Sequence, residues 1–139
     1  MNELTQAELD ALNMKIINEI NSRPRTLEEL KYQKIYELER EKDKEQSKPV
    51  IVRGFSFFGG RKNGEKYKET FDLVKMMGKT SGMFAHTEGL VEVDEDFAKE
   101  VIIAIGVASY NAWYKFQQLK IAVDNTNTAE ELEAIKWEN

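Results

Sequence analysis

The sequence predicts an α+β fold that is mainly helical, with an N-terminal helical arm or hairpin, a small antiparallel β element, a long central helix and a short C-terminal helix. Three observations predict this fold class. The helix-capping pattern Thr-x-x-Glu begins at residues 5, 26 and 128. Strand-favouring residues and glycine turns occupy the middle of the chain. An uncharged, mostly apolar block at 101–108 follows acidic residues at 94–96, which complement the positive end of a helix dipole.

The first two capping boxes predict two helices. The first helix runs to about Asn21, and a residue before proline, as at Arg23-Pro24, is pushed out of the helical region and ends it. The second runs from Leu27 to about Gln46, and its half beyond Leu38 is entirely polar, so this half either projects into water or lies against a partner. We therefore predict an N-terminal helical arm, residues 1–46, and a compact α+β domain, residues 47–139, built on the helix 94–123.

The compact domain is predicted to begin with a strand at 50–52 that continues through Phe55 and Phe57, with turns at 59–60 and 63–64. A helix follows from about Gly64 to Met77, and then a hairpin of residues 83–87 and 90–93 with a Glu-Gly turn. The last helix begins after the third capping box and runs to Trp137.

The central helix is apolar on all sides over two turns, which predicts that the rest of the domain covers most of it. We expect six of its side chains to be largely buried: Val101, Ile102, Ile105, Val107, Ala108 and Trp113.

Composition narrows the function classes. The chain has no cysteine, which excludes disulfides and thiolate chemistry. Its longest apolar block is far shorter than the roughly 20 residues that span a bilayer, and its first residues lack the features of a signal peptide, so we expect a soluble protein. The net charge of −5 hides a basic middle third, because residues 47–82 carry eight basic and three acidic side chains.

No residue pattern indicates catalysis or a cofactor. The glycines of 59–64 have phosphate-loop spacing but are followed by Glu65-Lys66 rather than Lys and Ser or Thr. His86 is the only histidine, and a metal site based on it lacks partners in the sequence. We therefore expect no enzyme, no cofactor and no metal.

The basic middle contains the candidate contacts for an anionic ligand, Arg53, Arg61 and Lys62. Cations interleaved with Phe55 and Phe57 could stack on and hold a nucleic acid. However, the two phenylalanines alternate as in a strand and would point together into a core, which leaves the cations on a solvated turn. We favour the second interpretation and do not expect nucleic-acid binding.

The order of these pieces resembles a phage-tail-associated domain of unknown function, found near the C-termini of tail-fibre-type and other tail-region proteins of phages and prophages. Matching stretches begin at Thr26, Val52 and Thr87 and include the long helix. The most specific match is the closing segment, residues 119–125 and 128–137. The resemblance covers residues 26–137, implies a phage or prophage origin and an interaction role, and implies no catalytic residues. A tryptophan usual in the first hairpin strand of the family is replaced here by Phe84.

The leading functional expectation is a non-enzymatic phage or prophage protein that acts by protein–protein interaction, either tail-associated or a tail-assembly accessory, in the virion or the host cytoplasm. The alternative is a phage-encoded inhibitor of a host defence system, which binds a defence protein or sequesters a nucleotide signal. Partners would be phage tail proteins or a host protein.

The apolar stripe of the first helix is the predicted oligomer or partner contact. Its members recur at helical spacing: Leu9, Leu12, Ile16 and Ile20. Such a stripe on a projecting arm must fold back or meet another chain, and we expect a homo-oligomer. Removal of residues 1–22 is then expected to leave a folded monomer.

Overall fold

The structure, a computed structural model, describes the backbone of residues 3–138 and the side chains of 3–19 and 23–138. Its elements in chain order are α1 (Gln6–Ser22), α2 (Leu27–Ser47), β1 (Val50–Val52), β2 (Phe55–Phe57), α3 (Arg61–Met76), β3 (Ser81–His86), β4 (Gly89–Asp94), α4 (Glu95–Asp124) and α5 (Ala129–Glu133). The predicted mainly helical α+β class is confirmed. The last helix is shorter than predicted, since α5 ends four residues before Trp137.

The predicted capping signals stand at the starts of α1, α2 and α5. The hydroxyls of Thr5, Thr26 and Thr128 each accept the backbone N–H three residues later, at 3.1 to 3.2 Å. At the first two caps the threonine hydroxyl also donates to the following glutamate, at 3.0 and 3.3 Å. Asp94 caps α4 in the same way, accepting from the Phe97 N–H at 2.8 Å. Each cap satisfies a donor that a helix start leaves free.

The segments at 50–52 and 55–57 form an antiparallel hairpin instead of one continued strand. The chain reverses at Arg53 and Gly54, whose φ angles of 51° and 82° suit a tight turn of the I′ type. Asn63 and Gly64, predicted as a turn, lie inside α3, where the Asn63 side chain donates to the Gly59 carbonyl at 2.8 Å. Arg-Gly is a weaker turn signal than Asn-Gly, which explains the missed hairpin.

The second hairpin, β3 with β4, has the predicted position and runs from the pair Ser81–Asp94 to the pair His86–Gly89. Its turn residue Thr87 donates its backbone N–H to the Ser56 carbonyl at 2.8 Å, which ties the second hairpin to the first. The Tyr67 hydroxyl strengthens this junction, because it donates to the Ala85 carbonyl at 2.6 Å and accepts from the Phe58 N–H at 3.2 Å.

Two hydrophobic clusters form the core, and α4 contributes to both. The first joins the hairpins, α3 and the N-terminal half of α4, where Val101 and Ile105 are fully buried. The second joins α2, the C-terminal half of α4 and α5, and contains Leu38, Phe116 and Trp137. The long helix is therefore the shared wall of both clusters.

Contacts between α2 and α4 cross the predicted division between residues 46 and 47, because α2 packs along α4. Leu38 is buried, and the polar half beyond it also contacts the body. Lys42 places its ammonium 5.2 Å from the Phe116 ring centroid, and the Gln46 amide donates to the Ser109 carbonyl at 3.0 Å. The polar half of α2 thus lies against a helix of its own chain.

The side chains described in α1 are exposed, and the linker at 23–26 joins this helix to the body. An ion pair between Arg23 and Glu29, at 2.9 Å, holds the linker against the first turn of α2. Within the described residues, α1 is the one long helix without a buried side chain.

The expectation that α4 is covered on most sides is wrong for two of the six named residues. Val101 and Ile105 are buried, and Ile102 and Ala108 are partly buried, but Val107 and Trp113 are 53% and 46% exposed. The other elements pack against one side of α4 and leave the opposite side in solvent. Among the described residues, no helix is both long enough and apolar enough to cross a membrane.

Candidate protein-interaction surface on the central helix

The exposed side of α4 carries a straight row of side chains, which we call the α4 seam: Ile103, Val107, Tyr110, Tyr114, Gln117 and Ile121. Their spacing alternates between four and three residues, which is the heptad spacing of helices that pair with another helix. At 100° per residue, the seam lies on the opposite side of the helix from buried Ile105. Its five apolar or aromatic members are each at least half exposed.

Aromatic side chains dominate the centre of this surface. The rings of Tyr110 and Tyr114 stack, with centroids 6.1 Å apart and planes 14° apart. Trp113 joins them, with its ring centroid 5.9 Å from that of Tyr110. Exposed Tyr and Trp side chains that are already ordered by mutual contact are the types that most often anchor protein–protein interfaces.

The seam also lacks charge over most of its length. No charged residue occurs from Val101 to Tyr114. The charged residues directly before and after this stretch make contacts within the chain. Glu100 accepts from Arg53 at 2.6 Å, and the Lys115 ammonium lies 4.5 Å from the Trp137 ring centroid. An uncharged, aromatic centre with charges at its ends is the composition of an interface.

A groove of about 570 Å³ runs beside the seam, between α2, α3 and α4. Its wall on α4 includes Ser109 and the indole of Trp113. Three cations, Lys42, Arg61 and Lys68, also line it, together with the carboxylate of Glu65. The Ser109 hydroxyl is buried there without a hydrogen-bond partner. The groove could therefore receive a ligand that combines a flat ring with negative charge.

The structure does not bring the three predicted anion contacts together as one cluster. Arg53 pairs with Glu100 and its guanidinium lies 4.5 Å from the Phe97 ring centroid. Arg61 lies on the groove and pairs with Glu65 at 3.1 Å, whereas Lys62 is exposed on α3 and does not line the groove. Phe57 is fully buried, so the aromatic side of this motif belongs to the core.

The predicted contact stripe on α1 is exposed where it is described. Leu9, Leu12 and Ile16 are 39%, 46% and 46% exposed, whereas the side chain of Ile20 lies outside the described residues. The stripe therefore remains available for another protein surface.

His86 contributes to the junction of the hairpins. Its Nδ1 accepts the Glu88 N–H at 3.2 Å, and its ring meets Phe55 edge-on at 5.1 Å between centroids. Across residues 3–138, no three His, Asp or Glu side chains are grouped so that they could hold a metal ion.

Two further ionisable groups are perturbed for structural reasons. Burial raises the pKa of the Tyr67 hydroxyl. The hydrogen bond from Lys75, at 2.7 Å, lowers the pKa of Glu95 in the first turn of α4, and Lys99 adds to this effect. Both groups fix elements against one another, and neither lies on the α4 seam.

Comparisons with protein families, with curated proteins and with solved structures find no match to this chain. The α4 seam was not identified from the sequence, because the central helix was expected to be covered on most sides and Val107 of the seam was expected to be buried. The signal that could have found it is the 4-3-4-3-4 spacing on the side of the helix opposite Ile105.

Proposed function

We propose that this chain is a non-enzymatic phage or prophage protein that acts by binding other proteins, either tail-associated or as a tail-assembly accessory. The observation that carries the interaction role is the α4 seam, an uncharged and partly aromatic helix face that its own chain leaves in solvent. Soluble proteins rarely expose apolar patches of this kind unless they serve contacts. The phage assignment is supported by the resemblance of residues 26–137.

The α1 stripe supplies a second contact surface in this proposal. It stands on a helix joined to the body through the linker at 23–26, so α1 can reach a partner that the body does not touch. Phage tail proteins are the proposed partners, and the virion or the host cytoplasm is the proposed location.

Presence in the virion tests the tail role. Particles released from a host that carries the encoding phage or prophage would be purified and probed with an antibody against this chain. We expect the chain to be present in particles, or in tail intermediates if it is an assembly accessory. Its absence from both fractions, while the cytoplasm contains it, would refute the tail role.

The groove beside the seam favours a second candidate function, an inhibitor that sequesters a nucleotide signal of host defence. Lys68 makes no ion pair within the described residues, and the indole of Trp113 lies on the same groove. Calorimetric titration with ATP and with a cyclic dinucleotide tests it. Binding that is lost in Lys68→Glu but kept in Lys79→Glu, an exposed control off the groove, would support the inhibitor; absence of binding to both probes would refute nucleotide sequestration.

A further inference from the structure

We propose that the α4 seam binds the α4 seam of a second copy of this chain, in an antiparallel two-fold dimer. This inference rests on the proposed interaction role and names the partner of the central helix. A two-fold interface uses the same patch on both subunits, so the patch must complement itself. A row with heptad spacing has this property, because each row member can enter the gaps of an identical row.

The exposed area of the seam is large enough for a dimer. The five apolar or aromatic seam residues and Trp113 are each between 46% and 62% exposed. With side chains of this size, they present on the order of 700 Å² per copy, close to the roughly 800 Å² per partner of a standard interface. The scattered apolar residues of a monomer surface do not form a row of this length.

Antiparallel pairing is favoured by the helix dipoles, which oppose each other in antiparallel copies and add in parallel ones. Parallel copies would also place their acidic first turns, with Asp94, Glu95 and Asp96, side by side.

The heptad positions then fix the register. Antiparallel helices pair the two kinds of seam position with each other. The register that buries the whole row sets Ile103 opposite Ile121 of the second copy and Tyr110 opposite Tyr114 of the second copy. The two-fold axis then crosses the seam between Tyr110 and Tyr114, at the level of residue 112 along the helix.

Gly106 is an independent indication that another backbone approaches this side of α4. A helix-interior glycine costs about 1 kcal/mol relative to alanine. Apart from its chain neighbours and the adjacent backbone of α4, no described atom lies within 4 Å of the place where its Cβ would be, so packing against other elements does not require glycine there. Next to the seam, the missing side chain lets a second helix come close.

The first test places a charge on the seam. Val107→Glu puts a carboxylate into the proposed interface, opposite Gln117 of the second copy. Leu73→Glu adds the same charge at a site on α3 that is 55% exposed. We expect sedimentation equilibrium to show a dimer for the unmodified chain and for Leu73→Glu, and at least about a 100-fold weaker dimer for Val107→Glu. A monomeric unmodified chain at about 500 μM, or equal weakening by both variants, would overturn the proposal.

The second test uses disulfide crosslinking to determine whether the two α4 helices are antiparallel or parallel. Because the chain has no cysteine, introduced thiols have no competitors. Ile103→Cys mixed with Ile121→Cys is expected to form a disulfide-linked heterodimer, whereas each variant alone is expected to crosslink poorly. Efficient crosslinking of each variant alone would overturn the antiparallel arrangement. A dimer that forms although the chain is absent from phage particles would refute the tail role and leave this inference standing.

Discussion

Ile105 and Ile103 lie two residues apart on α4, one on its buried side and one on its exposed side. Truncating each to alanine compares the contribution of the two sides to the stability of the fold. Ile105 is 2% exposed and belongs to the first core cluster, whereas Ile103 is 62% exposed on the seam. Ile105→Ala is expected to lower the free energy of unfolding by about 2–5 kcal/mol, because it removes buried methyl groups and leaves a cavity. For a chain of this size that corresponds to a melting temperature about 6–15 °C lower.

Ile103→Ala is the matched control, with the same atoms removed from the same helix. Its expected change is within about 0.5 kcal/mol, since little burial is lost and alanine is the better helix former. Both variants are to be measured by urea unfolding in the Val107→Glu background, so that association through the seam does not add to stability. A loss below about 0.5 kcal/mol for Ile105→Ala would show that α4 is not the centre of the core. An equal loss for both variants would show that the seam is covered within one chain.

Tyr67→Phe removes the hydroxyl that bridges the two hairpins and is expected to cost about 1–3 kcal/mol in urea unfolding, because it removes two part-buried hydrogen bonds to backbone groups. Tyr110→Phe, on the exposed seam, is the control, and an equal loss would contradict the bridge. The pKa of Glu95 is lowered by Lys75, so the stability that this ion pair contributes is present above the unfolded pKa of about 4.3 and is lost as pH falls through the lower folded pKa. The difference in melting temperature between the unmodified chain and Glu95→Gln should therefore shrink in acid, and a difference independent of pH would contradict this assignment. Removal of residues 1–22 is expected to leave a folded body that still dimerises through α4, in place of the monomer expected from the sequence; a truncation that unfolds would show that α1 belongs to the core.

The local signals in the sequence predicted most of the elements. A threonine with a glutamate three residues later predicts a helix start from four consecutive residues alone, and a helix begins at each of the three places. The turn at Arg53 and Gly54 was missed because arginine seldom adopts a positive φ, so its identity carries no turn signal. Here tertiary contacts settle the conformation, since Arg53 packs on Phe97.

The packing of α2 could not be predicted from its apolar residues. Beyond Leu38 the sequence is polar, and periodicity detects only apolar stripes. Lys42 contacts the Phe116 ring and Gln46 donates a hydrogen bond to the Ser109 carbonyl. Contacts of these two kinds produce no periodic pattern of apolar residues in the sequence. The candidate anion contacts do not form one cluster, because each arginine has its own carboxylate partner. The fold brings Glu100 to Arg53 from 47 residues away, and Glu65 pairs with Arg61 because both lie in α3, which begins earlier than predicted.

The exposure of the α4 seam is a property of the whole fold. Because α4 is uncharged on every side from Val101 to Tyr114, its sequence does not predict which side the rest of the chain covers. The hairpins, α2, α3 and α5 cover one side, and none of the described elements packs on the other. The contrast with α2 is informative, because α2 places Glu37, Glu39 and Arg40 on its outer side among exposed tyrosines. A helix that served only the core of a monomer could carry such charges on its outer side at no cost, since water solvates them. Between Val101 and Tyr114 the α4 helix carries none on its outer side, which is the composition of a protein–protein interface.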